Sequence, residues 1–248
     1  MPSLRQALDV VCYVMRQLLA LTILTLCCLS CKTKTEKAVS TTTKDRFLSF
    51  VPDTSKNFRA QWDLEDLKYR VKLEQQVGLR DLTEGTDSFE VRLWYDFSMG
   101  IAQELYILRF QDTVCNLSYH RIYPKRINYD DENRNRKWDP YKDPIVDSSV
   151  SRSVLLIAKD YKSLHLDSIW FLKSQSELKI PERIGFTDCD TYIIEIADKD
   201  RFKYFRHHCA MGYYDETKLI EILTYMDFCN RIRALAQKHN AIVPYNYD

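Results

Sequence analysis

At 248 residues, with 45% hydrophobic and 29% charged side chains, the chain is long enough for one good-sized core or two small ones. Lys and Arg number 36 against 35 for Asp and Glu, a balance that gives no electrostatic reason to expect DNA, RNA or an anionic surface as the main partner. The five glycines (Gly78, Gly85, Gly100, Gly185, Gly212) stand apart, whereas a loop that wraps backbone amides round a phosphate needs several close together, so nucleotide-binding loops are not expected.

The first segment differs from the rest. Met1 to Gln17 carries Arg5 and Arg16, and LLALTILTLCCLS (18–30) then runs for thirteen residues without a charge. A membrane-spanning helix needs about 20 apolar residues, while a secretory signal has a charged start, a short apolar stretch and a small-residue exit. The signal is the expected reading of residues 1–30. An uncleaved anchor helix from about Val10 to Cys31 would have to hold Arg16 in the membrane or let it snorkel to the interface.

The stretch LCCLSCK (26–32) ends that run with three cysteines, and Cys31 directly follows the small Ser30. The segment resembles the signal of bacterial lipoproteins, in which such a cysteine is acylated through its sulfur and becomes the new N-terminus after cleavage. The resemblance implies lipid attachment at Cys31, a membrane anchor, and a place in the cell envelope facing the periplasm or the cell surface. Two or three acyl chains on one residue would hold a soluble body at a bilayer almost permanently. Residues 31–45 then hold the lipidated cysteine and KTKTEKAVSTTTKD, whose composition predicts a solvated tether, and 46–248 is expected to be a single globular domain.

Within that body, residues 54–77 place Leu64, Leu67 and Val71 on one helical stripe, with Asp63 as its cap and Leu73 on the opposite side. From Phe89 the pattern alternates: Phe89, Val91, Leu93, Tyr95 and Phe97 share one face, and Glu90, Arg92, Trp94 and Asp96 the other, which predicts a half-buried strand. ELYILRF (104–110) and TVCNLSYHRIY (113–123) read as a hairpin, SVLLIA (153–158) as a further strand, and LHLDSIWFLKSQ (164–175) as a short helix. In TYIIEIADKDRFKYF, opposing Ile196 to Phe202 and Ile194 to Tyr204 round a three-residue Asp198–Asp200 loop sets apolar against apolar and Glu195 against Lys203. Residues 215–240 place Leu219, Ile222, Leu223, Met226, Cys229, Ile232 and Ala236 on one stripe of a single helix capped by Asp215. The expected fold class is therefore α+β: a mainly antiparallel sheet packed against a long C-terminal helix and a shorter N-terminal one.

Four cysteines follow Cys31, namely Cys115, Cys189, Cys209 and Cys229. In an oxidising compartment they allow two bridges with three connectivities, and their spacing lacks the paired C-x-x-C of a zinc site.

No catalytic signature stands out. Asp131, Asn133, Asn135 and Asp139 fall at alternate positions of DDENRNRKWD, with the Lys137 carbonyl between them, and resemble the D-x-N-x-N-G-x-W-D calcium loops of extracellular bacterial β-domains. Ca2+ is thus the one cofactor candidate, although Arg136 occupies the place of the sharp-turn glycine and Arg134 adds a second cation; a solvated loop is the competing reading. His207 and His208 point to opposite faces of a strand and read as a surface pair rather than a metal site, and His165, Asp167 and Ser168 have no nucleophile elbow beside them. Trp94, Tyr106 and Tyr119 would either form a recognition surface for carbohydrate or protein or be covered by a second layer such as the 54–77 helix. The expected role is binding or structural, and the alternative is an envelope hydrolase whose site is assembled from distant residues. Cys31→Ala is predicted to abolish fatty-acid labelling and leave the chain unprocessed; continued labelling would move the attachment to Cys28 or end the lipoprotein reading.

Overall fold

Seven strands pair into one sheet: β1 (Leu48–Phe50), β2 (Phe89–Asp96), β3 (Gln103–Gln111), β4 (Val114–Pro124), β5 (Val146–Leu156), β6 (Thr191–Ala197) and β7 (Arg201–His208). They come from a computed structural model that describes residues 48–50, 57–97, 102–125 and 145–244. The order across the sheet is β1-β7-β6-β2-β3-β4-β5, antiparallel throughout except for the three-residue parallel pairing of β1 with β7. Helices α1 (Phe58–Gln76), α2 (Ala158–Tyr161), α3 (Ala210–Thr217) and α4 (Ile220–Lys238) complete an α+β fold. Arg46–Asp248 forms one compact unit.

The sheet is covered on both faces. On one, Val91, Leu93, Tyr106, Leu108, Ile194 and Phe205 pack under α3 and α4 and the turns around Leu164 and Ile169. On the other, Trp94, Leu105, Ile107, Ile193 and Tyr204 pack under Leu67 and Leu73 of α1. The six central residues of β2 are all buried, so the half-buried strand expected at Phe89–Phe97 is corrected: its polar side faces a helix, and Glu90, Arg92 and Trp94 are as hidden as Val91 and Leu93. Trp94, Tyr106 and Tyr119 are core residues, Trp94 beneath α1 and the two tyrosines on the opposite face.

The helical ends follow local chemistry. Asn57, not Asp63, caps α1: its side chain accepts from the Ala60 amide at 2.9 Å. Asp63 lies in the body of the helix with Arg59, Ala60, Leu67, Arg70, Leu73 and Glu74 on the buried side, so Leu73 is core rather than opposed to it. α1 and α4 both have nineteen residues, so the N-terminal helix is not the shorter of the two. The single helix expected over 215–240 is two, because Lys218 takes a left-handed conformation (φ 56°) that ends α3, and Leu219 starts α4; Asp215 sits inside α3 and caps nothing. Residues 164–175 form 3₁₀ turns broken at His165, also left-handed, instead of an α-helix.

The first predicted hairpin forms as β3 and β4, with Asp112–Thr113 between the strands and Asp112 in the left-handed region that an aspartate tolerates. The second forms with its register moved by one residue: Ala197 opposes Phe202, Glu195 opposes Tyr204 and Ile196 opposes Lys203. The turn sets this. Asp198 N bonds Arg201 O at 2.9 Å, leaving a two-residue connection, and the Asp198 carboxylate accepts from the Asp200 amide and the Arg201 guanidinium. A disulfide joins Cys189, just before β6, to Cys209, just after β7, and Cys115 and Cys229 are free and buried.

Candidate functional site

Register brings Phe89, at the start of β2, opposite Phe110, at the end of β3, and their rings lie 5.5 Å apart. This aromatic pair stands at the end of the sheet that also carries the β3–β4 and β6–β7 turns, with a cleft on either side of it. The first, of about 860 Å³, is polar and is lined by Arg80, Asp87, Ser88, Arg109 and the backbone round Gly78. The second, of about 550 Å³, is aromatic: Tyr161, Trp170 and Phe171 join Phe89 and Phe110 there, with Asp112, Asp167, Asp198 and Arg201 at its polar edges.

Several contacts shape the aromatic cleft before any ligand arrives. The Arg201 guanidinium lies 4.0 Å from the Trp170 ring centroid, and its Nε and Nη2 both donate to Asp198 Oδ2, at 3.1 and 2.8 Å. Tyr161 meets Phe110 edge-on at 5.1 Å and donates its hydroxyl to the Thr113 carbonyl. The 3₁₀ turn bearing Trp170 and Phe171 is held by Lys203 of β7, whose Nζ donates to the carbonyls of Trp170 (3.2 Å) and Leu172 (2.9 Å); half-burial lowers the pKa of that amine. Phe171 is 82% exposed, a large apolar ring that the fold leaves to water.

The polar cleft connects to the interior through a chain of charges beneath α1. Arg109 Nε donates to Glu90 Oε2 (2.7 Å), Arg92 Nε donates to Glu90 Oε1 (2.8 Å), and Arg92 Nη1 reaches Glu74 Oε2 (2.5 Å). Burial works to raise the Glu90 pKa, yet Arg92 and Arg109 together pull it below the usual carboxylate range. Glu74 goes the other way: burial first, then the neighbouring Glu195 carboxyl, push it well above that range against the pull of Arg92. Trp94 Nε1 donates to Glu195 at 3.2 Å. The Glu74–Glu195 pair has the composition of an acid–base couple, but both carboxyls are about 1% exposed and α1 seals them from any substrate, so their work is structural.

A second polar cluster holds the other half of α1. Arg70 pairs with Asp66 and Asp96 over the Trp94 ring, and the Tyr204 hydroxyl donates to Asp66 at 2.6 Å. Asp63 accepts from Ser174 (2.9 Å) and Ser176 (2.6 Å) with Arg206 at 3.7 Å; burial outweighs these and raises its pKa to about 6.

The residues singled out from sequence are thus not gathered into one site. Asp131, Asn133, Asn135 and Asp139 lie outside the described residues, as does Cys31. His207 is corrected from surface to core: it is 1% exposed, its Nε2 donates to the Lys173 carbonyl at 2.8 Å, and burial depresses its pKa to about 4. His208 instead bonds Thr191 through Nδ1, on the other face. Ser168 donates to the His165 carbonyl rather than to its ring, so no nucleophile–base pair forms there. Among the described residues no group of three or more His, Cys, Asp or Glu is placed to hold a metal ion. Phe89, Phe110, Trp170 and Phe171 were not predicted to meet; the one local hint is the adjacent Trp170–Phe171 pair, which a short turn cannot bury together. No family model matches the sequence, and no curated protein is detectably similar to it.

Asp63 and His207 give opposite pH dependences. The raised Asp63 pKa stabilises the fold fully below its ordinary value of 3.8, and that stabilisation is lost as pH rises through about 6. The depressed His207 pKa stabilises it above the ordinary 6.5, and that is lost as pH falls toward about 4. Each amounts to on the order of 3 kcal/mol, and between pH 4 and 6 they largely cancel. Urea denaturation of Asp63→Asn across this range is predicted to show stability climbing with pH relative to the parent, and of His207→Gln falling; parallel curves for all three proteins would contradict both assignments.

Proposed function

We propose that this chain is a lipid-anchored, envelope-facing binding protein and that its ligand, a saccharide, seats in the aromatic cleft at the end of the sheet. The observation that carries the reading is the exposed Trp170–Phe171 turn, held beside the Arg201–Asp198 pair. A sugar ring offers an apolar C–H face to stack on aromatic rings and hydroxyls at its rim to bond guanidinium and carboxylate groups. Asp112 and Asp167 add exposed acceptors at the lip. Size favours a small ligand over a protein: about 550 Å³ falls within the usual 300–1,000 Å³ of ligand pockets, whereas a stable protein partner covers about 800 Å² of each surface.

The envelope location is supported by the leader, which resembles a lipoprotein signal ending at Cys31, and by the Cys189–Cys209 bridge, which suits an oxidising compartment. The membrane is then a partner through the acylated cysteine.

The test is a titration of the purified full chain, in a detergent without sugar headgroups, against a panel of envelope oligosaccharides followed by tryptophan fluorescence and calorimetry. One class of saccharide is expected to bind, and Phe171→Ala, at a side chain whose removal leaves the core untouched, is expected to weaken it about tenfold, roughly 1.4 kcal/mol. Failure of the whole panel, or undiminished affinity in Phe171→Ala, would overturn the cleft assignment. Release of new reducing ends during the titration would instead assign the hydrolase alternative.

A further inference from the structure

The two edges of the sheet are treated differently. β1 closes one edge with three residues, whereas β5 closes the other with eleven. From Asp147 to Ser153 every residue of β5 is exposed, and among the described residues no strand pairs with its outer side. Among the described residues its N–H and C=O groups on that side form an open ladder. Natural sheets blunt such edges with lysines, prolines, bulges or short strands. VDSSVSRSVLL has no lysine and no proline, and its single irregularity lies at the far end, where the pairing with β4 shifts between Tyr123 and Pro124.

We propose that β5 is a self-association edge, pairing antiparallel with β5 of a second copy of this chain about a two-fold axis through Val150. The side-chain pattern selects this register. With the axis at Val150, Val150 meets its own copy, Ser149 meets Ser151, Ser148 meets Arg152 and Asp147 meets Ser153, so apolar faces apolar and no like charges are opposed. Moving the axis to Ser151 would set Val150 against Arg152 and bring the two Arg152 side chains to diagonal positions. Arg152 is also drawn away from the seam, since its Nη1 donates to the Asn240 carbonyl beyond α4 at 3.0 Å. Val150 is 42% exposed and gains cover from its copy. A two-fold contact satisfies both open edges at once, so association stops at two and the seven-stranded sheets join into one of fourteen.

Symmetry provides a sharp test. In this register only residues near 150 approach their own copies; Val154 and its copy are offset by eight residues, about 27 Å along the strand. In membranes from cells producing the full chain, mild oxidation of Val150→Cys is expected to give a disulfide-linked dimer on non-reducing gels beyond any formed by the parent, whose free cysteines among the described residues, Cys115 and Cys229, are buried, while Val154→Cys is expected to match the parent. Light scattering of the purified chain in detergent is expected to give two copies per particle, and Val150→Lys, which opposes two ammonium groups on the axis, one. A monomeric parent, a dimer that persists in Val150→Lys, or cross-linking through Val154→Cys in place of Val150→Cys would each overturn the proposal.

Discussion

The ion pairs buried between α1 and the sheet decide how this fold is assembled. A helix usually docks on a sheet through an apolar stripe, but here the buried side of α1 carries Asp63, Arg70 and Glu74 beside Leu67 and Leu73. The sheet and the 3₁₀ turn before β6 answer each charge: Arg92 for Glu74, Asp96 for Arg70, and Arg206 with the turn's Ser174 and Ser176 for Asp63. A rotation of α1 that kept its leucines buried but moved these residues would strand charges in a dry interior, which costs several kcal/mol for each ion. The pairs therefore specify the orientation of the helix more than they add to its stability.

The same chain of contacts reaches the surface. Glu90 bridges Arg92 in the core to Arg109 in the polar cleft, and the neighbouring Phe89 and Phe110 form the wall between that cleft and the aromatic one. On the opposite face Lys203 plays the matching part by holding the carbonyls of the Trp170 turn. The candidate binding surface is thus fixed to buried polar groups on both sides of the sheet. Its aromatic rings are presented by a rigid support, which reduces the ordering cost a ligand would otherwise meet.

Much of this architecture was legible in the sequence and some of it could not be. The alternation of 104–123 predicts β3 and β4, and the stripe of Ile222, Met226, Cys229, Ile232 and Ala236 predicts the buried side of α4, because both elements bury apolar residues at regular spacing. The buried side of α1 escaped the same reasoning because its partners are charges, and a pattern search assigns Arg70 and Glu74 to water. The β6–β7 register slipped for a related reason: Glu195 and Lys203 looked like a mutual pair, yet Glu195 is satisfied by Trp94 and Lys203 by the Trp170 and Leu172 carbonyls, leaving the Asp198 turn to choose. The aromatic cleft depends on the β2–β3 register and on a 3₁₀ turn some sixty residues further on, neither of which has a local signature. The pairing of Cys189 with Cys209 was one of several open connectivities until β6 and β7 brought the two together.

The dependence of the fold on its buried charges is tested most directly by a double-mutant cycle at Arg92 and Glu74, measured by urea denaturation near neutral pH. Arg92→Met alone should cost about 3–5 kcal/mol because Glu90 loses a counter-charge and Glu74 its guanidinium partner in the interior, and adding Glu74→Leu should restore a large part of that loss. A loss below about 1 kcal/mol for Arg92→Met, or strictly additive losses in the double variant, would show that α1 is held by its leucines alone.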